Sequence, residues 1–249
     1  MEERLGLTGF KGKRLGNMGE QVRLNGNPPI ELTLKPSARA RRLSLRVSRL
    51  DGRVTLTLPR GVPRRVALAF AEEKAAWIRR QIAEHPGELR PMPGTQLPFR
   101  GVSLPIFAAP GRSVRLHENR IEVPRKDPDR TPVRLAAFLK HHARRVLIDA
   151  CEHRAAALGR PHGRITIRDT RSRWGSCNAK GDLMFSWRLI MAPPEVLDYV
   201  VAHEVAHLAE MNHSPAFWAQ VGRLMPGYGH PRRWLRDNAQ SLHRYRFKD

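Results

Sequence analysis

Two histidines four residues apart with a glutamate after the first, His203-Glu204-x-x-His207, are the residues of this chain best suited to chemistry. On a helix, positions i and i+4 share a face, so both imidazoles can present a nitrogen to one cation. Neutral imidazole suits zinc, and two such ligands leave room for a third protein group and a water. Glu204 is turned about 100° from His203. Its carboxylate can therefore reach a water on the metal without being a ligand. There it would take the water's proton as general base and later deliver it to a leaving group. The ion would lower the pKa of that water towards ~7.

The third ligand requires a choice. Gluzincin-type enzymes use a glutamate from a downstream helix, but here the only carboxylate side chains after Glu210 are Asp237 and Asp249. Glu210 lies three residues beyond His207 on the same helix and approaches a shared metal awkwardly. His213 is better placed, because Asn212 can end the helix in a left-handed conformation and swing the next residue back. His230 and Asp237 are the alternatives. The spacing from His207 to His213 equals that of the metzincins, and Met225 invites comparison with their Met-turn. Those enzymes have a glycine where this chain has Glu210, which argues against membership.

A helix must carry these groups. Leu197, Val200, Val201, Val205 and Leu208 supply its apolar stripe, and Pro193-Pro194-Glu195 starts it, with proline in the first turn and a carboxylate at the positive end of the dipole. Ser214-Pro215 begins a further helix, and another is expected from about Pro231. Upstream, "RITIRDT" and "LMFSWRLI" read as strands around a turn-rich loop, "RSRWGSCNAKGD", with its tight turn at Gly175. A long helix is expected from Thr131-Pro132 to about Leu158, with Leu135, Phe138, Leu139, Val146, Leu147 and Ala150 at helical spacing.

Nearer the N-terminus the period changes to two. Leu43, Leu45 and Val47, then Val54, Leu56 and Leu58, alternate on either side of Asp51-Gly52, a hairpin signal. Pro63 opens a helix whose expected buried stripe is Val66, Phe70, Trp77 and Ile82, stopped by Pro86-Gly87. Short strands follow around Leu104–Phe107, Ser113–His117 and Arg120–Val123, with a turn at His117–Arg120. The polar, proline-rich "PRKDPDRTP" reads as a boundary. The expected organisation is a flexible leader over 1–28, a mainly β region with one helix over 29–128, and a compact catalytic domain over 129–249. The fold class is α+β.

Charge is the unusual feature: 45 Lys+Arg against 23 Asp+Glu give +22 over 249 residues. Such a balance attracts polyanions, so non-specific nucleic acid or another acidic partner is an expectation. No helix-turn-helix or aromatic RNA-binding signature accompanies it. Cys151 and Cys177 are the two cysteines, too few for a disulfide framework or a thiolate zinc ribbon. With no apolar stretch behind the basic N-terminal residues, the chain reads as soluble and cytoplasmic, with no membrane partner.

"TRSRWGSC", "WRLIMAPPEVLDYVVAHEVAHLAEMNHSPAFW" and "RRWL" together resemble the YgjP-like metallopeptidase family, related to the SprT-like and WLM zincins. The resemblance is strong from about Arg164 to Leu235 and weaker in "RARRLSLRVSRLDGRVTLTLPRGV". It implies a zincin-like domain with Zn2+ on His203, His207 and His213, Glu204 as catalytic acid/base, and a peptide or protein substrate. "LMFSW" departs from the family's Asn-Leu-Asn-Trp run, and "PGYGHPRRW" from a more Lys-rich stretch. Two other functions fit the residues: hydrolysis of a nucleotide or other phosphoester at the same metal, and nucleic-acid association with or without protease action. Arg171, Arg173, Trp174 and Ser176 could border the cleft, or Trp174 could be core with the arginines paired to helix carboxylates. Phe217 and Trp218 fit core packing, Asn212 and Ser214 fit helix caps, and Cys177 fits a plain structural role.

Overall fold

The computed structural model describes residues 19–48, 52–83 and 87–248. Most of the expected leader (1–18), Asp51 of the hairpin turn and Pro86 of the helix stop lie outside them. The chain divides into two compact units, Met1–His85 and Pro86–Asp249.

In the first unit, β1 (Glu20–Leu24), β2 (Ile30–Ser37), β3 (Ser44–Val47) and β4 (Val54–Pro59) form a sheet in the order β1-β2-β4-β3. The β2–β4 pair is parallel and the outer pairs are antiparallel. Ile30, Leu32 and Leu34 on β2 and Val54, Leu56 and Leu58 on β4 are buried at every second position, as a sheet with one covered face requires. Residues 20–24, expected within the leader, form an edge strand. The single expected helix is two, α1 (Arg64–Glu73) and α2 (Ala75–Ala83), interrupted at Lys74.

Its buried stripe is partly displaced. Ala67, Ala71 and Ile78 face the core and Phe70 and Ile82 pack against it half-buried, whereas Val66 and Trp77 are 41% and 38% exposed. Ala67 and Ala71, both on α1, let the backbone of that helix lie close to the sheet.

The second unit holds a further four-stranded sheet: β5 (Gln96–Phe99), β6 (Val102–Ala109), β7 (Arg115–Leu116) and β8 (Ile121–Pro124), ordered β5-β6-β8-β7. It repeats the sense of the first sheet, with a parallel central pair between antiparallel outer ones. The turn expected at His117–Arg120 is closed by the His117 N–H donating to the Arg120 carbonyl at 2.9 Å. β5 was not expected, because "QLPF" is too short and proline-containing to read as a strand.

Helix α3 (Thr131–Leu158) spans the expected residues and ends at Gly159, whose φ of 71° is the left-handed cap that glycine adopts without cost. Leu135, Leu139, Ala143, Leu147, Cys151 and Ala155 recur every four residues on its buried face. They share one core with Leu97, Phe99, Leu104, Ile106, Ile121 and Val123 of the preceding sheet. The second unit therefore begins at Pro86, and 128/129, the expected boundary, falls inside it. "PRKDPDRTP" is a tied connection: the Arg125 N–H donates to the Ala109 carbonyl and Arg134 Nη1 to the carbonyls of Lys126 and Asp127. A polar, proline-rich surface turn has the same composition as a linker.

Behind α3 follow β9 (Ile165–Arg168), β10 (Gly175–Cys177) and β11 (Leu183–Ser186), in the order β10-β11-β9. "LMFSWRLI" is a strand only to Ser186; Trp187–Met191 is a 3-10 turn. Arg188 in that turn is 5% exposed. It pairs with Asp169, donates to the carbonyls of Leu242 and Tyr245, and lies over the Trp187 and Phe247 rings. Helices α4 (Pro194–Ala206), α5 (Pro215–Leu224) and α6 (Gly229–His243) complete the unit. The architecture is α+β. Among the described residues, no helix is long and apolar enough to cross a membrane.

Candidate metal centre

Helix α4 is a central helix, buried along Val196, Leu197, Tyr199, Val200, Val201, Ala202, Glu204, Val205 and Ala206. Pro194 occupies its first turn with Glu195, where a missing N–H costs nothing and a carboxylate meets the positive dipole end. It stops earlier than expected, at Ala206. His207 is its C-cap, and the chain tightens through bonds from the Leu208 N–H to the Val205 carbonyl and from Ala209 to Ala206. Asn212 is not left-handed; Arg100 and Asp127 are the described non-glycine residues with positive φ. The reversal is made instead by Asn212 Oδ1 accepting from the Ser214 N–H at 3.2 Å and by Ser214 Oγ capping α5 at Phe217. His213, between these two caps, is turned back towards α4.

The three imidazoles form a nearly equilateral triangle, with ring centroids 5.2 Å (His203–His207), 5.0 Å (His203–His213) and 4.9 Å (His207–His213) apart. One nitrogen from each lies within 4.8 Å of the others, and the Nε2 atoms of His203 and His213 are 3.1 Å apart. Phe217, fully buried, lies 4.4 to 4.9 Å from all three rings and forms their floor. His207 Nδ1 donates to the Glu210 carbonyl at 2.9 Å. That bond fixes the tautomer and leaves Nε2 unprotonated for a cation. Glu210 thus serves the triangle through its main chain. Asp237 is paired to Arg236 and His230 is exposed on α6; neither belongs to the cluster.

The donor set fits a metal. Nitrogens about 2.0–2.1 Å from a tetrahedral zinc stand roughly 3.4 Å from one another, close to the 3.1 Å observed. Burial lowers His203 to about 4, helped by His207 and His213, and lowers His207 as well. Both rings therefore stay neutral, the form that ligates. A metal held by three protein ligands would have a coordination position left for water or substrate.

Glu204 is 6% exposed, and burial raises its carboxyl to about 7 against the opposing pull of Arg173. A carboxyl near neutrality can both accept and return a proton. The space it occupies is made by Gly175, which lies in strand β10 and not in a turn. A Cβ there would stand 2.5 Å from Glu204 Cγ and 2.6 Å from Oε1. Trp174 is partly buried and packs against the core with its ring 4.6 Å from that of His243. Cys177 lies in β10 outside the cluster, its thiol raised to about 11, mainly by burial. Beside the triangle, Tyr199, Tyr228 and Trp218 stack at 6.4 and 5.6 Å, and Arg232 covers Trp218 at 4.3 Å.

Gly175, Phe217 as a floor and the Glu210 carbonyl were not foreseen as parts of the site. Phe217 carries a faint signal, lying one helical turn after His213. Gly175 inside "RWGSC" resembles any turn glycine, and a backbone acceptor leaves no trace in sequence.

A triangle of imidazoles on and just after a buried helix, with a dehydrated glutamate between the first two, defines a candidate mononuclear metal centre. The chain belongs to the YgjP-like metallopeptidase domain family, whose description matches residues 41–238. Among solved structures it is similar to the metallopeptidase zymogen of Pyrococcus abyssi abylysin. There the identity is 24% over 38% of this chain and 96% of that one, with a TM-score of 0.35. No curated protein matches.

Proposed function

We propose that this protein is a zinc-dependent metallopeptidase that hydrolyses peptide bonds, acting in the cytoplasm. The observation that carries the reading is the histidine triangle with the buried Glu204 carboxyl beside it, in a chain of metallopeptidase family. The residues that would hold zinc are His203, His207 and His213. When bound, zinc supplies Lewis acidity, polarising a peptide carbonyl and acidifying water. Glu204 accepts the proton of the attacking water as its oxygen adds to the carbonyl carbon. It then gives that proton to the amide nitrogen as the C–N bond breaks, so the carboxylate is regenerated. Phe217 holds the three rings in place, and the Glu210 carbonyl holds the His207 tautomer.

The test is Glu204→Gln. Turnover of a peptide-library substrate falls by about 10²–10⁴-fold, the worth of a general base, while bound metal stays at the wild-type level. Full activity in this variant overturns the assignment, and phosphate release from nucleotides without peptide cleavage overturns the substrate class.

A further inference from the structure

The first unit carries a groove unrelated to the metal. It has a volume of about 560 Å³ and is lined by Leu43 and Leu45, leading into and on β3, by Phe70 and Trp77 of α1 and α2, and by Arg42 and Lys74 at its rim. That volume lies within the range of ligand sites. Phe70 and Trp77 belong to the stripe that periodicity assigns to the core, yet Trp77 stays 38% exposed. A tryptophan held open beside three further apolar side chains is an uncovered surface of the kind that partners occupy.

Two further observations say what covers it. The sheet order β1-β2-β4-β3 leaves β3 at an edge, and among the described residues no strand pairs with its outer side. Such an edge offers a row of main-chain donors and acceptors to an added strand. Secondly, residues 37–48, which contain β3, include Arg39, Arg41, Arg42 and Arg46 and no carboxylate. Among the described residues none of these four arginines forms an ion pair; Lys74 is held by Glu73. Unpaired like charges along a strand edge discourage a second copy of the same edge and favour an acidic strand.

We propose that the groove and the β3 edge bind an extended, acidic segment of a partner protein by strand addition. Its alternate apolar side chains enter between Leu45, Phe70 and Trp77, and its carboxylates face Arg42 and the neighbouring arginines. With four residues in β3, the paired stretch is about four to six residues long.

The experiment is selection of short random peptides on the full chain carrying Glu204→Gln, so that captured peptides are not cut. The recovered sequences are then titrated by fluorescence anisotropy. Enriched peptides carry apolar residues at every second position together with Asp or Glu. Their Kd rises about tenfold or more with Trp77→Ala and with Arg42→Glu, each at a surface-exposed position. N-methylation of alternate peptide amides, which removes strand donors without changing side chains, abolishes binding. Enriched peptides without carboxylates overturn the proposal, as does binding that Trp77→Ala or N-methylation leaves unchanged. Recovery of no peptide that distinguishes wild type from Trp77→Ala overturns it too, as does an oligothymidine strand bound through Trp77 in place of any peptide. Binding is read without turnover, so its failure is separate from failure of the peptidase reading.

Discussion

Replacing Gly175 by alanine adds one methyl group directly against the Glu204 side chain. The new carbon would lie 2.5 Å from Cγ, 2.6 Å from Oε1 and 2.8 Å from Cδ, where ordinary contacts begin near 3.4 Å. The three nearest atoms all belong to Glu204, so that side chain must retreat by about 1 Å, and none of the three belongs to a histidine of the triangle. A reacting group misplaced by about 1 Å costs on the order of 10²-fold in rate, and overpacking costs roughly 1–3 kcal/mol of stability. Gly175→Ala should therefore lose about a hundredfold in kcat/KM on a peptide substrate. It should keep one bound metal by elemental analysis and remain folded at the assay temperature by circular dichroism. Glu204→Gln serves as the reference for complete loss of the base. Wild-type activity in Gly175→Ala would refute the argument that the Gly175 vacancy seats the carboxylate; so would loss of metal with the glutamate's role intact.

His213→Ala should lower zinc affinity by at least ~10²-fold, more than loss of an outer partner costs, whereas His230→Ala should leave it unchanged; competitive chelator titration distinguishes them. His243 is held neutral by burial, at about 4 against an ordinary 6.5. The unfolded chain therefore takes up a proton below about 6.5 that the folded one refuses until about 4. Stability present above that range falls as pH drops through it, by about 3 kcal/mol for this group. His243→Phe, which keeps an aromatic ring against Trp174, should flatten that slope in urea melts, and profiles parallel to wild type would count against it. Arg188→Ala should cost about 2–4 kcal/mol in chemical denaturation, since two carbonyls and Asp169 lose their partner. The Asp169 side is partly screened by solvent.

Regular, strongly periodic segments were readable without the fold. Helix α3 has its buried leucines at four-residue steps, and α4 has its proline start; both follow from local rules that a linear sequence displays. So does the alternation of Val54, Leu56 and Leu58 on β4. Where local signals were ambiguous, packing decided. "RWGSC" became an edge strand, Asn212 an acceptor and not a left-handed cap, and "PRKDPDRTP" a tied turn. The buried positions of α1 fell on Ala67 and Ala71, because closeness to a sheet selects small side chains that hydropathy counts as weak.

By itself the sequence supplied the candidate groups: two histidines one helical turn apart, which any helix brings onto one face, a glutamate between them, and His213 as the expected third ligand with His230 and Asp237 as alternatives. The tertiary structure decided what those groups experience. It brought His213 back across a loop to within 3.1 Å of His203 and set Phe217 beneath all three rings. It also laid a side-chain-free residue of a separate strand against Glu204, whose burial lifts its carboxyl to about 7. Dehydration and closure belong to whatever packs from elsewhere in the chain, and spacing along one helix carries no information about them.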